Sequence, residues 1–257
     1  MYPYSIIFGF GLYEIFTFLG IIACFFVYKL YLNEKVLNAK IYNYFLFISL
    51  GAIAIGYVFA SLFQSFFDYI KTGEFKLWGA GITFYGGLVG GIFAYLILNL
   101  IFGKIFFKEN EHWKNIKYIA FVAPICVTIA HAFGRIGCLF AGCCHGNLNE
   151  NGILMWIDEL SSFEKAVPVQ LFEAIFLFIL FAILTYLYFK KLHYEIETYS
   201  ILYGVWRFII EFFRDDDRGA LFIGLSPSQG FAIIFIIFGI SIILYKLYKL
   251  KHKKQTN

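Results

Sequence analysis

Long apolar runs alternate with short polar stretches along nearly the whole chain. A transmembrane α-helix needs about twenty predominantly apolar residues to cross the hydrocarbon core of a bilayer. Seven runs approach that length, at roughly residues 6–28, 43–66, 81–102, 118–140, 168–189, 199–213 and 226–245. The pattern therefore predicts an all-α polytopic membrane protein with seven transmembrane helices. The sixth run is the shortest, and it carries Arg207 and Glu211.

Lysines in the short connections predict the orientation of these helices. The connections after the first, third and fifth runs and the C-terminal tail are rich in lysine, whereas the other connections are balanced or acidic. Cytoplasmic loops carry the excess of Lys and Arg, so we expect the N-terminus outside and the C-terminus in the cytoplasm. No positive charge precedes the first run, which Tyr13 and Glu14 interrupt, and we expect it to stay in the membrane rather than be cleaved.

Composition agrees with a membrane protein. Of the 257 residues, 61% are hydrophobic and only 15% are charged, far from the usage of soluble domains. Residues 1–257 are expected to form a single integral-membrane domain. The longest polar connection, about residues 146–167, is expected outside and contains a turn-forming cluster at 147–152. The basic tail is expected to set topology and to touch anionic lipid, and no nucleic-acid partner is expected.

Ionisable and polar side chains inside the apolar runs are functional-site candidates, because each costs several kcal/mol in a bilayer. They recur at helical spacing on several runs: Tyr13 and Glu14; His131 and Arg135; Gln170 and Glu173; and Tyr203, Arg207, Glu211 and Arg214. With the predicted orientation all of them fall in the outer half of the bilayer, and the inner halves contain no charge. The pattern predicts a polar cavity that opens toward the outer leaflet and is closed toward the cytoplasm.

This asymmetry separates the classes of membrane protein. A transporter or channel needs polar groups through both halves of the bilayer. A retinal photoreceptor needs a lysine within the last helix. The seventh run, 226–245, contains no lysine, and the first one after it is Lys246. Arginine is well suited to binding phosphate, so buried arginines at headgroup depth favour an enzyme that acts on lipids.

Six motifs occur in the order of a known family. They are a Tyr13 to Gly20 spacing, "FYGGLVGG" at 84–91, "GRIGCLFAGCCHG" at 134–146, "PVQLFE" at 168–173, "YGVWRFIIEFFR" at 203–214 and "LSPSQG" at 225–230. With them the chain resembles the prolipoprotein diacylglyceryl transferase family of the bacterial inner membrane. The resemblance implies seven spans with the N-terminus outside and an active site toward the outer leaflet.

The resemblance also implies an activity and its partners. The family moves the diacylglyceryl group of phosphatidylglycerol onto the lipobox cysteine thiol of an exported prolipoprotein, the first step of lipoprotein maturation. The substrates implied are therefore phosphatidylglycerol and a signal peptide with its lipobox cysteine. Two alternatives stay open: a diverged enzyme that uses the phospholipid site with another acceptor or another headgroup chemistry, and a non-enzymatic lipid-binding or transport protein.

Site residues carry over from the same motifs. Arg135, between Gly134 and Gly137, is expected to bind the phospholipid headgroup, and Arg207 is expected to be the second essential arginine. The other substrate-contacting or supporting positions implied are Tyr13, Gly146, Gln170, Glu173, Tyr203 and Glu211. The structural alternative is that the arginines only extend to the membrane surface or pair with Glu173 and Glu211. In that alternative the polar residues only form hydrogen bonds with one another.

The departures from the family pattern concern proton transfer. Cys138, Ala141 and Cys143 stand where the family has two asparagines and a glutamate, and Tyr85 stands where it has a histidine. Because a free thiol is mostly protonated at neutral pH, a general base would help. The candidates are Tyr85, His131, His145 and the carboxylate of Glu211, although Tyr85 suits a hydrogen-bond donor better. The alternative for each histidine is a structural residue that only forms hydrogen bonds.

The cysteines around Arg135 leave two interpretations open. Cys138, Cys143, Cys144 and His145 would suffice for zinc, but the spacing lacks the usual Cys-x2–4-Cys pairing, so no metal or cofactor is expected. A disulfide from Cys138 to Cys143 or Cys144 fits the oxidising side of the membrane. Alternatively the three side chains simply fill apolar space; Cys24 and Cys126 are expected in the core.

Overall fold

The computed structural model describes residues 10–32, 36–73, 75, 83–214 and 224–255. The chain is mostly helical, as the apolar pattern predicts. The α-helices are α1 Leu12–Tyr31, α2 Ala39–Thr72, α3 Phe84–Phe106, α4 Glu111–Ala141, α5 Val169–Phe189, α6 Glu195–Ile210 and α7 Pro227–Gln255. A 3-10 turn, Glu211–Phe213, extends α6 by three residues.

Six of these helices are long and apolar enough to cross a membrane: α1, α2, α3, α4, α5 and α7. The predicted multi-pass membrane protein is therefore confirmed. Helix α6 has 16 residues and is not among the six, so the seventh crossing stays a prediction. Many of the large side chains on these helices are exposed, for example Phe18, Phe47 and Ile105, as a surface in contact with lipid requires.

A β-hairpin fills the long polar connection, which the sequence pattern did not predict. Strand β1, Leu148–Ile157, pairs antiparallel with β2, Ser162–Ala166, and the chain reverses at residues 158–161. Leu148 and Ile153 both lie opposite Ala166, so the expected turn cluster at 147–152 forms a bulge inside β1 instead. The hairpin is held by its buried face, where Met155, Ile157 and Ala166 pack together.

The chain divides into two compact units. One unit, Leu32–Ile119, contains α2, α3 and the beginning of α4. Its two long helices meet through glycines: a Cβ added at Gly56 would lie 2.9 Å from the carbonyl oxygen of Gly87 and 3.2 Å from the Cα of Gly91. The glycines of "FYGGLVGG" thus allow two helix backbones to approach closely.

The second unit, Met1–Tyr31 with Ala120–Asn257, contains α1, most of α4, the hairpin and α5 to α7. Helices α1 and α4 approach closely, because a Cβ added at Gly137 would lie 3.1 Å from the carbonyl oxygen of Tyr13. At the other end of the unit the Tyr31 hydroxyl lies 3.1 Å from the Thr185 hydroxyl. The N-termini of α1, α5 and α7 therefore lie at the same end as the C-termini of α4 and α6.

Candidate active site

Glu173 joins three helices of the second unit. On the first turns of α5 its carboxylate is fully buried, and its Oε2 lies 2.9 Å from Arg135 Nε of α4. Its Oε1 accepts a 3.3 Å hydrogen bond from the Tyr203 hydroxyl of α6 and lies 3.9 Å from His131 Nε2. His131 and Arg135 therefore share the helix face predicted from their spacing, and both face the same carboxylate.

Glu211 is the centre of a second group of polar residues, at the end of α6. Arg207 Nη2 lies 2.7 Å from Glu211 Oε2, and Arg214 Nε lies 3.9 Å from the same oxygen. Arg207 Nη2 also donates a 3.0 Å hydrogen bond to the Ser228 hydroxyl of α7. The other terminal nitrogen of Arg207, Nη1, is buried and has no hydrogen-bond partner among the described residues.

The charges of the two groups do not cancel. Glu173 lies near enough to Arg135, Arg207 and Arg214 to interact electrostatically with all three. Each arginine is at most 9% exposed. Three arginines and two glutamates leave one positive charge among the described charged residues of the site. Because an uncompensated buried charge is costly, this arrangement favours an anionic occupant.

The "LSPSQG" motif begins α7 and touches the site. Ser226 Oγ accepts a 3.2 Å hydrogen bond from the Gln229 backbone N–H, while Gln229 Oε1 accepts a 3.0 Å bond from the Ser226 backbone N–H. These reciprocal bonds are a capping box. Ser226 Oγ also donates a 2.7 Å bond to Glu211 Oε1. Gln229 thus caps its own helix, and the cap positions Glu211.

The loop after α4 is shaped by two residues with left-handed backbone. Gly142 has φ 79° and its N–H bonds to the Cys138 carbonyl at 3.0 Å, which ends the helix. A side chain at Gly142 would collide with the carbonyl oxygen of Trp156, so the hairpin packs against this turn. Cys144 has φ 60°, which is uncommon for a residue other than glycine.

The loop is also held to α5 and to the end of α6. Gln170 Nε2 donates a 2.7 Å hydrogen bond to the Cys143 carbonyl. The Gly146 N–H bonds to the Val167 carbonyl at 2.9 Å, and a side chain at Gly146 would strike the Phe213 carbonyl. Gly146 is therefore required by packing, rather than by contact with a ligand.

Three thiols meet in this loop. The Sγ atoms of Cys138, Cys143 and Cys144 all lie within 4.8 Å of one another, and none of the described cysteines is in a disulfide. Hydrogen bonding with the other two thiols lowers the pKa of Cys144, helped by the positive charges of Arg214 and Arg135. Hydrogen bonding with Cys138 raises the pKa of Cys143. Cys144 is therefore the more acidic of these two loop thiols.

The same arrangement of motifs recurs in known proteins. A family model described as prolipoprotein diacylglyceryl transferase matches residues 4–245. A phosphatidylglycerol-prolipoprotein diacylglyceryl transferase 2 from Clostridium perfringens is 35% identical over 71% of this chain and 68% of its own length. A transferase of the same activity name from Clostridium tetani is 32% identical, over 63% of each chain. One from Campylobacter jejuni is 29% identical over 90% of this chain and 84% of its own.

The chain belongs to the prolipoprotein diacylglyceryl transferase family. The resemblance drawn from the six motifs is confirmed. Within this family member, one unit brings together most of the expected site: His131, Arg135, Glu173, Tyr203, Arg207 and Glu211. Two of the pairings, Arg135 with Glu173 and Arg207 with Glu211, are those of the structural alternative. This pairing leaves one positive charge over, because the site has three arginines and two glutamates.

The other expected site residues do not contact Glu173 or Glu211 in the contacts described above. The phenol of Tyr13 interacts electrostatically with Arg135. A Cβ added at Gly134 would meet no atom within 4 Å, so no packing contact requires this glycine. His145 Nδ1 lies 2.8 Å from the Gly146 carbonyl. A carbonyl only accepts, so Nδ1 carries the hydrogen and Nε2 keeps its lone pair.

Tyr85 is the exception among the expected residues. It lies in α3, which belongs to the other compact unit, and its side chain lies outside the described residues. Its expected role as a hydrogen-bond donor stays a prediction.

Three further residues of the site had no role assigned from the sequence: Arg214, Ser226 and Ser228. Arg214 was among the functional-site candidates. Arg214 continues the polar stripe of α6, and its spacing was a sufficient signal. Ser226 and Ser228 flank Pro227 at the start of α7, and the S-x-x-Q pattern from Ser226 to Gln229 is the sequence signature of a capping box. Their contacts with Glu211 and Arg207 depend on how α6 and α7 pack, which the spacing does not show.

Proposed function

We propose that this protein transfers the diacylglyceryl group of phosphatidylglycerol to the lipobox cysteine thiol of exported prolipoproteins. The proposal rests on its family membership, on the activity for which its relatives are named and on one structural observation. That observation is the buried group of Arg135, Arg207 and Arg214, which two glutamates leave with one positive charge. A phosphodiester carries one negative charge and would balance it.

Arg135 and Arg207 have the same role in the proposed reaction. Both bind the phosphate of phosphatidylglycerol, with Arg207 Nη1 as the donor that has no partner within the described protein. The thiol loses its proton, its sulfur attacks the glycerol carbon that bears the phosphate, and the carbon–oxygen bond breaks. Glycerol phosphate leaves with the electron pair, and the arginines stabilise the charge that develops on it.

The neighbouring residues hold the arginines or accept the proton. Glu173 and Tyr203 fix Arg135, while Glu211 fixes Arg207. Glu211 is occupied by Arg207 and Ser226, which makes it a poor base, whereas His145 keeps a lone pair on Nε2. We therefore place His145 ahead of His131 as the general base, with Gln170 supporting its loop.

We further propose seven crossings, with the N-terminus outside and the active site toward the outer leaflet of the bacterial inner membrane. Helix α6 measures about 24 Å at 1.5 Å per residue, and the 3-10 turn adds about 6 Å. Together they match a hydrocarbon core of about 30 Å. Lys29, Lys190 and Lys246 lie at the ends of α1, α5 and α7 that are distant from the site, as the positive-inside rule requires.

Complementation tests this proposal. The gene is expressed in a strain depleted of its own diacylglyceryl transferase, and lipidation of a reporter prolipoprotein is measured by mass. The wild-type protein is expected to restore growth and lipidation. Arg135→Ala and Arg207→Ala are expected to lower lipidation by at least about 100-fold, as loss of a charge-stabilising donor does, while Lys165→Ala on the exposed face of β2 keeps full activity.

Three results would contradict the proposal. Full lipidation by both arginine variants would remove the arginines from the site. Consumption of phosphatidylglycerol without lipidation of the prolipoprotein would show an enzyme with another acceptor, and binding of the lipid without turnover would show a lipid-binding protein. Membrane insertion of every variant is checked by its abundance in the membrane fraction.

A further inference from the structure

We propose that Cys138, Cys143 and Cys144 bind one zinc ion, and that the open position of this ion takes the acceptor thiol. The metal site goes beyond the proposed function. The part played by the acceptor thiol rests on the proposed function.

The three sulfur atoms are already placed for one ion. Zinc lies about 2.3 Å from a thiolate and prefers tetrahedral angles, so three thiolates on one ion lie about 3.8 Å apart. The three Sγ atoms are all within 4.8 Å of one another. The observed spread therefore exceeds the spacing on a common ion by at most about 1 Å. A disulfide would use two of the three and leave the third aside.

The backbone explains why an unusual spacing still forms a cluster. Cys138 lies in the last turn of α4, and the left-handed conformations of Gly142 and Cys144 fold the chain back over that turn. A non-glycine residue in this conformation costs on the order of 1 kcal/mol and persists only when its surroundings fix it. The Cys-x4-Cys-Cys spacing, which argues against zinc in an ordinary knuckle, suits a helix end followed by this turn.

The surrounding charges favour a bound ion with thiolate ligands. Three thiolates and Zn²⁺ carry one net negative charge. Arg135 interacts electrostatically with Cys138 and Cys144, and Arg214 interacts with Cys144. These guanidinium groups place positive charge beside the zinc–thiolate centre, which stabilises its negative charge. Arg207 Nη1, which has no hydrogen-bond partner among the described residues, remains the donor for the phosphate.

The ion would keep one position open. Among the described residues, the sulfur cluster consists of the three cysteines and includes no fourth ligand. His145, the next residue, directs Nδ1 to the Gly146 carbonyl. Three protein ligands with a free fourth position are typical of catalytic rather than structural zinc.

An open position on zinc suits the acceptor thiol. A thiol that coordinates zinc is deprotonated, and its proton passes to His145 Nε2 or to water. The zinc-bound sulfur then forms its bond to the glycerol carbon as the carbon–oxygen bond breaks and glycerol phosphate leaves. Zinc keeps its oxidation state, and the thioether product is a weaker ligand than the thiolate, which favours release.

Metal content is the first test. The full chain is purified in detergent with reductant, and zinc is measured by mass spectrometry of the metal. We expect one zinc per chain, at least about a tenfold loss in Cys138→Ser, Cys143→Ser and Cys144→Ser, and wild-type zinc in the Cys24→Ser and Cys126→Ser double variant. Thermal unfolding confirms that each variant is folded.

Two outcomes of this test would overturn the site. One is folded wild-type protein without zinc whose three thiols all react with maleimide. The other is a disulfide between two of the three cysteines in protein taken directly from membranes. Because metal content does not depend on catalysis, this test stands whether or not the protein lipidates a prolipoprotein.

The acceptor role is tested with cobalt in place of zinc. Co²⁺ bound by thiolates has a charge-transfer band in the near ultraviolet that grows with each added thiolate. A lipobox peptide is expected to strengthen this band, whereas the same peptide with serine in place of its cysteine leaves it unchanged. An equal response to both peptides would overturn the acceptor role, while zinc binding without lipidation would count against the proposed function alone.

Discussion

Glu195 and Glu197, two residues apart at the beginning of α6, have opposite surroundings. Glu197 forms an ion pair with Lys246 of α7. Glu195 is fully buried, and neither of its carboxylate oxygens has a hydrogen-bond partner in another described residue. Burial raises the pKa of Glu195 above its ordinary value. The folded protein therefore holds a proton on Glu195 more tightly than the unfolded chain does.

This difference predicts a pH-dependent stability. The contribution of Glu195 is fully present below the ordinary carboxyl pKa and is lost as the pH rises through its raised value. Glu195→Gln removes that loss, so we expect its melting temperature in detergent to exceed that of wild type by roughly 2–4 °C at about pH 8. The gain should shrink toward zero at about pH 4.

Glu197→Gln is the matched control. It leaves Lys246 without its partner and is expected to lower the melting temperature at the higher pH. An increase for Glu197→Gln, or a gain for Glu195→Gln that is independent of pH, would show that burial of the Glu195 carboxylate is not the cause.

Among the helices, α4 has two glycines one turn apart with different neighbours. Gly137 faces the backbone of Tyr13, where an added Cβ would lie 3.1 Å from the carbonyl oxygen. Gly134 has no atom within 4 Å of an added Cβ. The first glycine is a packing residue, and the second leaves room beside Arg135.

The pair predicts opposite effects of the same substitution. Gly134→Ala replaces a helix-interior glycine without a clash, which stabilises a helix by about 1 kcal/mol. Gly137→Ala must move α1 and is expected to destabilise by about 1–3 kcal/mol, the usual cost of overpacking. Thermal unfolding of both variants measures this, and equal shifts would contradict the packing described.

The space at Gly134 also leads to a prediction about activity. Gly134→Leu should leave the fold intact and lower the apparent affinity for phosphatidylglycerol, because a large side chain would occupy the space beside Arg135. Unchanged lipidation kinetics in this variant would show that no substrate uses that space.

At the scale of helices and strands, the apolar runs predicted every α-helix that the structure describes. They did not predict all of the helix boundaries, and they did not predict the hairpin. Helix α2 begins at Ala39, earlier than the predicted run at 43–66, because Asn38 caps it by accepting a 2.9 Å hydrogen bond from the Ile41 N–H. The hairpin reverses at residues 158–161, whereas the Asn and Gly cluster at 147–152, which is typical of a turn, forms a bulge instead.

The sequence predicted which polar residues share a helix face, but not which glutamate pairs with which arginine. Spacing alone placed His131 with Arg135, and Tyr203 with Arg207, on common helix faces. That Glu173 takes Arg135 while Glu211 takes Arg207 depends on how the helices are rotated against one another. The meeting of the three thiols depends on the backbone angles of Gly142 and Cys144, which no local spacing rule contains.

For the molecule as a whole, α6 decides the topology. Three helices, α5, α6 and α7, separate the hairpin from the C-terminal tail, so the two lie on opposite sides of the membrane only if α6 crosses it. Reporter fusions after Ser161 and after Asn257 test this. Each position is fused once to alkaline phosphatase, which is active only outside the cytoplasm, and once to green fluorescent protein, which fluoresces only inside it.

We expect phosphatase activity after Ser161 and fluorescence after Asn257. A fusion after Lys108, in the connection that follows α3, is the reference for the cytoplasmic side and should fluoresce. The same signal after Ser161 and Asn257 would mean that α6 does not cross and that the protein has an even number of crossings.

Glu211 ties together two points that are far apart in the chain. Arg214 lies 3.9 Å from one carboxylate oxygen, and Ser226 donates to the other at 2.7 Å. The eleven residues between them, 215–225, are thus bracketed by contacts with a single side chain. Doubling the length of such a closed segment costs only about 0.6 kcal/mol. Evolution can therefore lengthen, shorten or rewrite this segment while the two contacts with Glu211 stay the same.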